Sequence, residues 1–246
     1  MIKAIFTWSG GKDSALALYK IQQRDDIEVV ALLTTLNKEY KRISMHGVRE
    51  ELLDKQAESL GIPLIKMWVE QDSYDEYEQK MKELLLEQKS LGVTKVIYGD
   101  IFLEDLREYR DNNLAKVGLE GVYPLWKLNT KEVINKFLSL GFKTTTCCIN
   151  DQYLGEAHSG ALIDKEWIES LPEQVDPCGE NGEFHTFCFD GPNFSEPLKL
   201  ELGEKLYKPL DEKFIDKSQQ PHAKGFWFTD LILVEPKLLN GSSRLN

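Results

Sequence analysis

The chain has 246 residues, enough for one large α/β domain or two smaller ones, and its 41% hydrophobic content can fill a sizeable core. Its formal net charge of -11 counts against a nucleic-acid partner, because proteins that bind nucleic acid normally present a basic face. No stretch approaches the roughly 20 apolar residues of a membrane helix, and the first residues lack the basic-then-apolar form of a signal peptide. We therefore expect a cytoplasmic protein without a membrane or nucleic-acid partner.

Alternating strands and helices are predicted for the first 140 residues. Short apolar runs that stop at glycine or proline predict strands, and stretches with helical periodicity predict helices. The predicted strands are 2–8, 28–33, 64–69, 95–98 and 122–125, and the predicted helices are 14–23, 48–60, 74–91, 103–117 and 131–140. Strands separated by helices of this length imply βαβ units, and therefore a Rossmann-like parallel sheet with helices on both faces.

The pattern changes after residue 140. We predict a strand at 144–149, a short helix at 165–171, a stretch rich in glycine, proline and acids at 176–194, and β-structure at 198–202 and 226–235. These segments would form a smaller C-terminal subdomain, either α/β or mainly β, over residues 141–236. Residues 1–140 would form the first domain, and residues 237–246 a frayed tail.

The four cysteines do not form a C-x-x-C pair, so neither a zinc ribbon nor a redox dithiol is indicated. They are Cys147, Cys148, Cys178 and Cys188. We expect them to be small, buried side chains in a reducing compartment.

A glycine-rich loop stands between the first predicted strand and the first predicted helix. It reads Ser9-Gly10-Gly11-Lys12-Asp13-Ser14 and is called the phosphate loop below. Its glycines allow a close approach of the backbone to a ligand, and amides at a helix N-terminus favour an anion. Lys12 adds positive charge, the serine hydroxyls can donate to phosphate oxygens, and Asp13 could help to hold Mg²⁺. The order differs from the Walker pattern G-x-x-x-x-G-K-[ST]. The alternative is a plain Gly-Gly turn with a lysine in solvent.

Two further segments end strands of the predicted sheet. Thr34 follows the second strand, and Gly99 and Asp100 follow the fourth. Ligands of parallel α/β sheets bind beyond the carboxyl ends of the strands. We therefore add these three residues to the predicted phosphate-ligand site.

The predicted helix at 103–117 carries two arginines on or near its apolar stripe. Arg110 falls within the stripe, and Arg107 borders it. An arginine that faces a core needs an anionic partner, because an unpaired buried charge is very costly. Either an ion pair with Asp100 or Glu104, or contact with a ligand, would satisfy Arg110.

The segment Asp176–Thr186, called the acidic loop below, is the other dense group of polar residues. Glu180 and Glu183 stand three residues apart beside glycines, and a histidine and a threonine follow. The two carboxylates could hold a cation or an amine, or they could belong to a solvated turn. His46, just before a predicted helix, could likewise face a ligand or lie on the surface.

The phosphate loop resembles that of the N-type ATP pyrophosphatases, the PP-loop superfamily. With Gly99-Asp100, the two arginines, Pro124-Leu125-Trp126 and the run Cys178–Thr186, the chain resembles the diphthine–ammonia ligase family over about residues 2–194. The resemblance implies an adenine nucleotide alpha hydrolase-like fold, with ATP and Mg²⁺ as cofactors. In that superfamily the loop grips the β and γ phosphates, and AMP passes to a substrate oxygen.

By this resemblance the reaction is an ATP-dependent amidation. A carboxylate is adenylated with release of pyrophosphate, and ammonia then displaces AMP. The family acceptor is diphthine on elongation factor 2, and a homodimer is a further expectation. The implied catalytic residues are Lys12, Asp13, Arg107 and Arg110. The implied nucleotide contacts are the residues of the phosphate loop together with Thr34, Gly99 and Asp100. The implied substrate contacts are His46, Glu180, Gly182, Glu183, His185 and Thr186.

One departure bears on the acceptor. Met45–Arg49 and Val175–Cys178 resemble bacterial-type members, whereas diphthamide belongs to archaea and eukaryotes. A bacterial ATP pyrophosphatase with an unknown acceptor is therefore an alternative. A tRNA-modifying PP-loop enzyme and a nucleotide sensor without catalysis are others, although the acidic charge and the absence of C-x-x-C count against tRNA.

Overall fold

The computed structural model describes residues 1–43, 46–70, 73–210 and 223–234, and its first sheet is mainly parallel. Its parallel strands lie in the order β4-β2-β1-β5-β6. They are β1 (Ile2–Thr7), β2 (Ile27–Asn37), β4 (Leu64–Val69), β5 (Val93–Ile97) and β6 (Glu120–Val122), while β3 (Arg42–Ile43) pairs antiparallel with the end of β2. The connections from β1 and β5 lead to opposite sides of the sheet, so the crevice between their carboxyl ends is a topological switch point.

Helices cover both faces of this sheet, as predicted. They are α1 (Lys12–Gln22), α2 (Glu50–Leu60), α3 (Tyr74–Ser90), α4 (Glu104–Val117), α5 (Thr130–Ser139) and α6 (Lys165–Glu169). Successive residues of a strand point to opposite faces, and in β1 Ala4 and Phe6 join one core cluster while Ile5 joins another. The first cluster contains side chains of α1, α2 and α5, and the second contains those of α3 and α4.

A second sheet is antiparallel, with the order β8-β7-β10-β9. Its strands are β7 (Lys143–Asn150), β8 (Phe184–Asp190), β9 (Leu200–Pro209) and β10 (Gly225–Leu233). Phe187 and Cys188 of β8 belong to the same core cluster as α1 and α2. The two sheets therefore share a hydrophobic core, and the predicted division near residue 140 stays a prediction.

Several boundaries differ from the sequence expectations. The predicted strand at 122–125 is in fact β6 at 120–122, and Leu125 lies fully buried in the turn that follows. The strand predicted at 28–33 runs four residues further, because its end gains partners in both β3 and β4. The strand predicted at 198–202 is β9, which continues to residue 209 along β10. The tail at 237–246 lies outside the described residues.

The predicted burial of the cysteines is confirmed, since all four are buried and free of disulfides. Within the described ranges, no helix combines the length and apolar character needed to cross a lipid bilayer.

Candidate nucleotide and acceptor site

A cavity of about 1170 Å³ opens at the carboxyl ends of β1, β2 and β5. Its walls come from both parts of the chain: the phosphate loop, the end of β2, the facing sides of α3 and α4, and the acidic loop. Sites for single small ligands usually occupy about 300–1,000 Å³. The cavity is therefore large enough for a nucleotide together with a second substrate.

The phosphate loop is fixed mainly through its backbone. Gly10 has a φ of +77°, and its carbonyl accepts hydrogen bonds from Gln56 Nε2 (2.9 Å) and from the amide of Cys188 (2.8 Å). A Cβ at Gly99 would lie 3.1 Å from the amide nitrogen of Ser14, so the end of β5 packs directly on the loop. Gly11 at the N-cap of α1 has no side chain, and the amide of Lys12 donates to the Thr186 hydroxyl, so the amides that follow Lys12 are the ones suited to an anion.

Lys12 is the buried cation of the site. Its side chain is 3% exposed, and its Nζ lies 2.7 Å from Asp13 Oδ2 while also donating to the carbonyl of Cys178. Burial alone would lower the pKa of Lys12, but Asp13, Cys178 and Glu180 outweigh burial and raise this pKa. The alternative of a lysine in solvent is therefore wrong, and the lysine stays charged at neutral pH.

Two carboxylates lie beside this lysine. Burial and, to a smaller extent, the charge of Asp13 raise the pKa of Glu180 to about 7, although Lys12 opposes the shift. Burial also raises the pKa of Asp13, against the attraction of the lysine. In the part of the chain that the structure describes, no group of three or more acidic, cysteine or histidine side chains could hold a metal unaided. Mg²⁺ commonly uses one or two carboxylates with substrate phosphates, and these residues fit that arrangement.

The two glutamates of the acidic loop have different surroundings. Glu180 lines the cavity, and its Oε2 accepts the amide of Ile101 at 3.3 Å. Glu183 is fully buried, and its carboxylate accepts hydrogen bonds from the amides of Asp176 and Asn181 and from the Asn181 side chain, at 2.9, 2.9 and 3.0 Å. Its carboxylate thus holds the loop together and does not line the cavity, so the geometry does not support the predicted substrate contact of Glu183.

The two arginines of α4 also differ in their surroundings. Arg110 lines the cavity, pairs with Asp100, and lies 4.4 Å from the centre of the Tyr98 ring. The sequence left open whether Arg110 forms an ion pair or contacts a ligand. The ion pair is present, and the position of Arg110 at the cavity also leaves room for a ligand. Burial lowers the pKa of Arg110, which remains a cation at neutral pH.

Arg107 points away from the cavity wall. Its guanidinium lies 4.6 Å from the ring centres of both Tyr123 and Trp126, and its Nε is 3.4 Å from Asp111. Cation–π and ion-pair contacts of this kind are structural. The geometry therefore gives no support to the predicted catalytic role of Arg107, and it explains Trp126 of the Pro-Leu-Trp motif as its packing partner.

The remaining predicted residues meet at the cavity. Thr34 is 2% exposed, and its hydroxyl has no hydrogen-bond partner among the described residues. His46 and His185 stack with ring centres 4.5 Å apart, and the Thr186 hydroxyl accepts the amide of Lys12 at 3.0 Å. Gly182 and the other predicted glycines except Gly10 also line the cavity. The fold thus brings together residues that are far apart in the chain, such as Lys12 and Thr186, which are separated by 174 positions.

Sequence reasoning missed the wall formed by α3 and α4. Tyr77, Glu78, Tyr98 and Tyr109 line it, and the hydroxyl of Tyr109 donates to Glu78 Oε1 at 3.0 Å. Burial raises the pKa of Tyr98 and of Tyr77, so both remain neutral. A signal was present at the start of α3, where Tyr74 and Tyr77 stand among acidic residues, but it did not distinguish this wall from an ordinary solvated face.

The mainly parallel sheet, the glycine-rich loop at the switch point and the added antiparallel sheet define an α/β protein. The N-terminal domain family of diphthamide synthase matches residues 2–121, and the C-terminal domain family matches residues 129–219. The chain belongs to the diphthamide synthase family. Members of this family use ATP, and the family places the chain among ligases that form a carbon–nitrogen bond.

Similar proteins include enzymes named diphthine–ammonia ligase. The zebrafish (Danio rerio) protein is 24% identical over 80% of this chain and 86% of its own length. The human protein is 23% identical over 82% of this chain and 84% of its own length. The Saccharomyces cerevisiae protein is 24% identical over 82% of this chain and 34% of its own length. Among solved structures, the U34-tRNA thiolase NcsA from Methanococcus maripaludis matches with 17% identity over 57% of each chain and a TM-score of 0.37.

Proposed function

We propose that this chain activates a carboxylate by adenylation and joins it to ammonia, with release of pyrophosphate and then AMP. The observation that carries the proposal is the buried, charged Lys12 at the switch point of the sheet, facing a cavity with room for a second substrate. Membership of the diphthamide synthase family supports the same chemistry.

Adenylation makes a poor electrophile reactive. A carboxylate oxygen attacks the α phosphorus of ATP, the bond to the bridging oxygen breaks, and pyrophosphate departs with the electron pair. Ammonia then attacks the acyl carbon, AMP leaves, and an amide remains. Lys12 and the amides at the start of α1 lie where they can bind the departing pyrophosphate, and fixed charges of this kind are usually the largest catalytic contribution.

Asp13 and Glu180 would hold the Mg²⁺ that accompanies ATP. The ion would neutralise charge that develops on the phosphate oxygens. Burial raises the pKa of both carboxylates, and the charge of Lys12 opposes that shift.

The acceptor would occupy the wall between α3 and α4. Arg110 offers a cation for a carboxylate, while the tyrosines at 77, 98 and 109 with Glu78 suit a positively charged group through ring faces and negative charge. An acceptor with a carboxylate beside a quaternary ammonium fits this pairing. Diphthine on elongation factor 2 is such an acceptor, and it is the partner that we propose.

The decisive experiment follows the products of ATP. Purified protein is incubated with ATP, Mg²⁺, ammonium and a diphthine-bearing elongation factor 2, and nucleotides are separated by chromatography. AMP and pyrophosphate that increase with the acceptor are expected. ADP and phosphate would contradict the chemistry, and ATP binding without AMP would favour a nucleotide sensor. AMP release that ignores diphthine but rises with a different carboxylate would retain the chemistry and replace the acceptor.

A further inference from the structure

The stacked pair formed by His46 and His185 has no part in the chemistry described so far. His46 comes from the segment before α2 and His185 from β8, so the pair joins the two parts of the chain across the cavity. The rings are 4.5 Å apart and inclined by 28°. The Nδ1 of His46 is buried without a hydrogen-bond partner in the described ranges. A buried polar atom of this kind normally has a partner, and a bound ligand can supply it.

The pair lies next to the end of the site that receives phosphate. His46 forms a hydrogen bond with the backbone of Thr186, and the Thr186 hydroxyl accepts the amide of Lys12. A Cβ at Gly11 would lie 3.1 Å from the Thr186 carbonyl oxygen, so this segment of β8 presses directly on the phosphate loop. A nucleotide held by that loop therefore brings its anionic end towards the imidazoles.

The charges around the pair keep it neutral before a nucleotide binds. Burial lowers the pKa of His46 to about 4; the hydrogen bond with Thr186 opposes this shift, and Lys12 adds to it. Burial, His46 and Lys12 hold the pKa of His185 well below its usual range. Each ring is affected by the positive charge of Lys12 and by the other ring of the pair. A bound polyphosphate would reverse the sign of the electrostatic potential at the two rings.

We propose that the His46–His185 pair takes up one proton from solvent when the polyphosphate of a nucleotide binds, and that the imidazolium then hydrogen-bonds to the pyrophosphate. One proton is expected for two rings, because stacked imidazoliums would repel each other. This inference rests on the proposed function, and it adds a second cation, besides Lys12, for the leaving group.

The first test measures protons and needs no turnover. Calorimetry with α,β-methylene-ATP near pH 7, in two buffers of different ionisation enthalpy, gives the number of protons taken up. The measurement is made in a Glu180→Gln background, because the carboxyl of Glu180 has a pKa of about 7 and titrates in the same range. We expect uptake of about one proton that falls close to zero in His46→Gln and in His185→Gln.

His158 provides the matched control. Its ring packs against Trp167, with ring centres 6.1 Å apart, and it is not among the residues that line the cavity, although its Nδ1 is also buried and has no hydrogen-bond partner among the described residues. His158→Gln should retain the wild-type uptake. Histidine-selective ¹⁵N NMR then identifies the charged ring directly, and adenosine should leave the His46 and His185 signals neutral whereas pyrophosphate should not.

The outcomes separate this inference from the proposed function. Neutral His46 and His185 rings in a saturated complex, or equal uptake in all three variants, would overturn the inference even if AMP is produced. Failure of both α,β-methylene-ATP and pyrophosphate to bind would overturn it as well. Uptake by the pair without AMP formation from any acceptor would retain the inference and contradict the ligase chemistry.

Discussion

The phosphate loop and the acidic loop form facing walls of one cavity, but they are held in place by different kinds of contact. The phosphate loop is held through backbone atoms. Its Gly10 carbonyl, for example, accepts hydrogen bonds from the Gln56 side chain and from the Cys188 amide. The acidic loop is organised around carboxylates, chiefly that of Glu183, which accepts three hydrogen bonds within the loop, while Asp176 accepts two. A wall held through its backbone can lose a functional side chain and keep its shape, whereas a wall held by a carboxylate cannot lose that group.

The largest effect should come from the functional side chain of the first wall. Lys12→Met removes the buried cation that we propose to bind phosphate, and it should lower AMP release by about 10²–10³-fold while the far-UV circular dichroism spectrum is retained. Lys20→Met, an exposed lysine on the same helix, is the control and should release AMP at the wild-type rate. A folded Lys12→Met protein with normal turnover would contradict the assignment of the phosphate loop.

Glu183→Gln should break the second wall. The substitution leaves buried donors around position 183 without a full set of acceptors, and it should lower the free energy of unfolding by about 1–3 kcal/mol. Urea unfolding measures this loss, and Glu173→Gln, an exposed glutamate nearby, should be neutral. Wild-type stability combined with a lost acceptor response would instead support the direct substrate contact that the sequence predicted.

Glu180 should affect the dependence of stability on pH. Burial raises the pKa of this carboxyl from its ordinary value of 4.5 to about 7, so the folded state binds the proton more tightly than the unfolded state does. Wild-type stability should therefore fall as the pH rises from 5 to 8 relative to Glu180→Gln, by on the order of 1 kcal/mol. Urea unfolding of both proteins at several pH values checks this, and parallel curves would show that the carboxyl is not perturbed.

The smallest effect is expected at Arg107. Arg107→Met keeps the packing against Tyr123 and Trp126, and it should cost less than about 1 kcal/mol and leave AMP release unchanged. Measurement of kcat and of the unfolding midpoint tests both statements together. A tenfold loss of kcat at unchanged stability would restore the catalytic role that the sequence suggested.

How much of this site is predictable depends on where the deciding contacts lie in the chain. The phosphate loop, its helix and the parallel sheet are local patterns, and the structure agrees with them. The sequence limits the ion-pair partner of Arg110 to Asp100 or Glu104. In the structure the partner is Asp100, which is ten residues away in the chain. The surroundings of Glu183 and Arg107 are not predictable in this way, because they come from how a loop folds back and from aromatic rings of the turn after β6. Spacing along the chain does not encode either arrangement.

The hydrogen bond between Thr186 and the amide of Lys12 also has a consequence during synthesis. The two residues are 174 positions apart, so the phosphate loop leaves the ribosome long before the strand that completes it. At about 5–20 residues per second this interval is roughly 10–35 seconds. A nascent chain therefore carries an incomplete phosphate loop throughout that time, and competence to bind a nucleotide arrives late, together with β8.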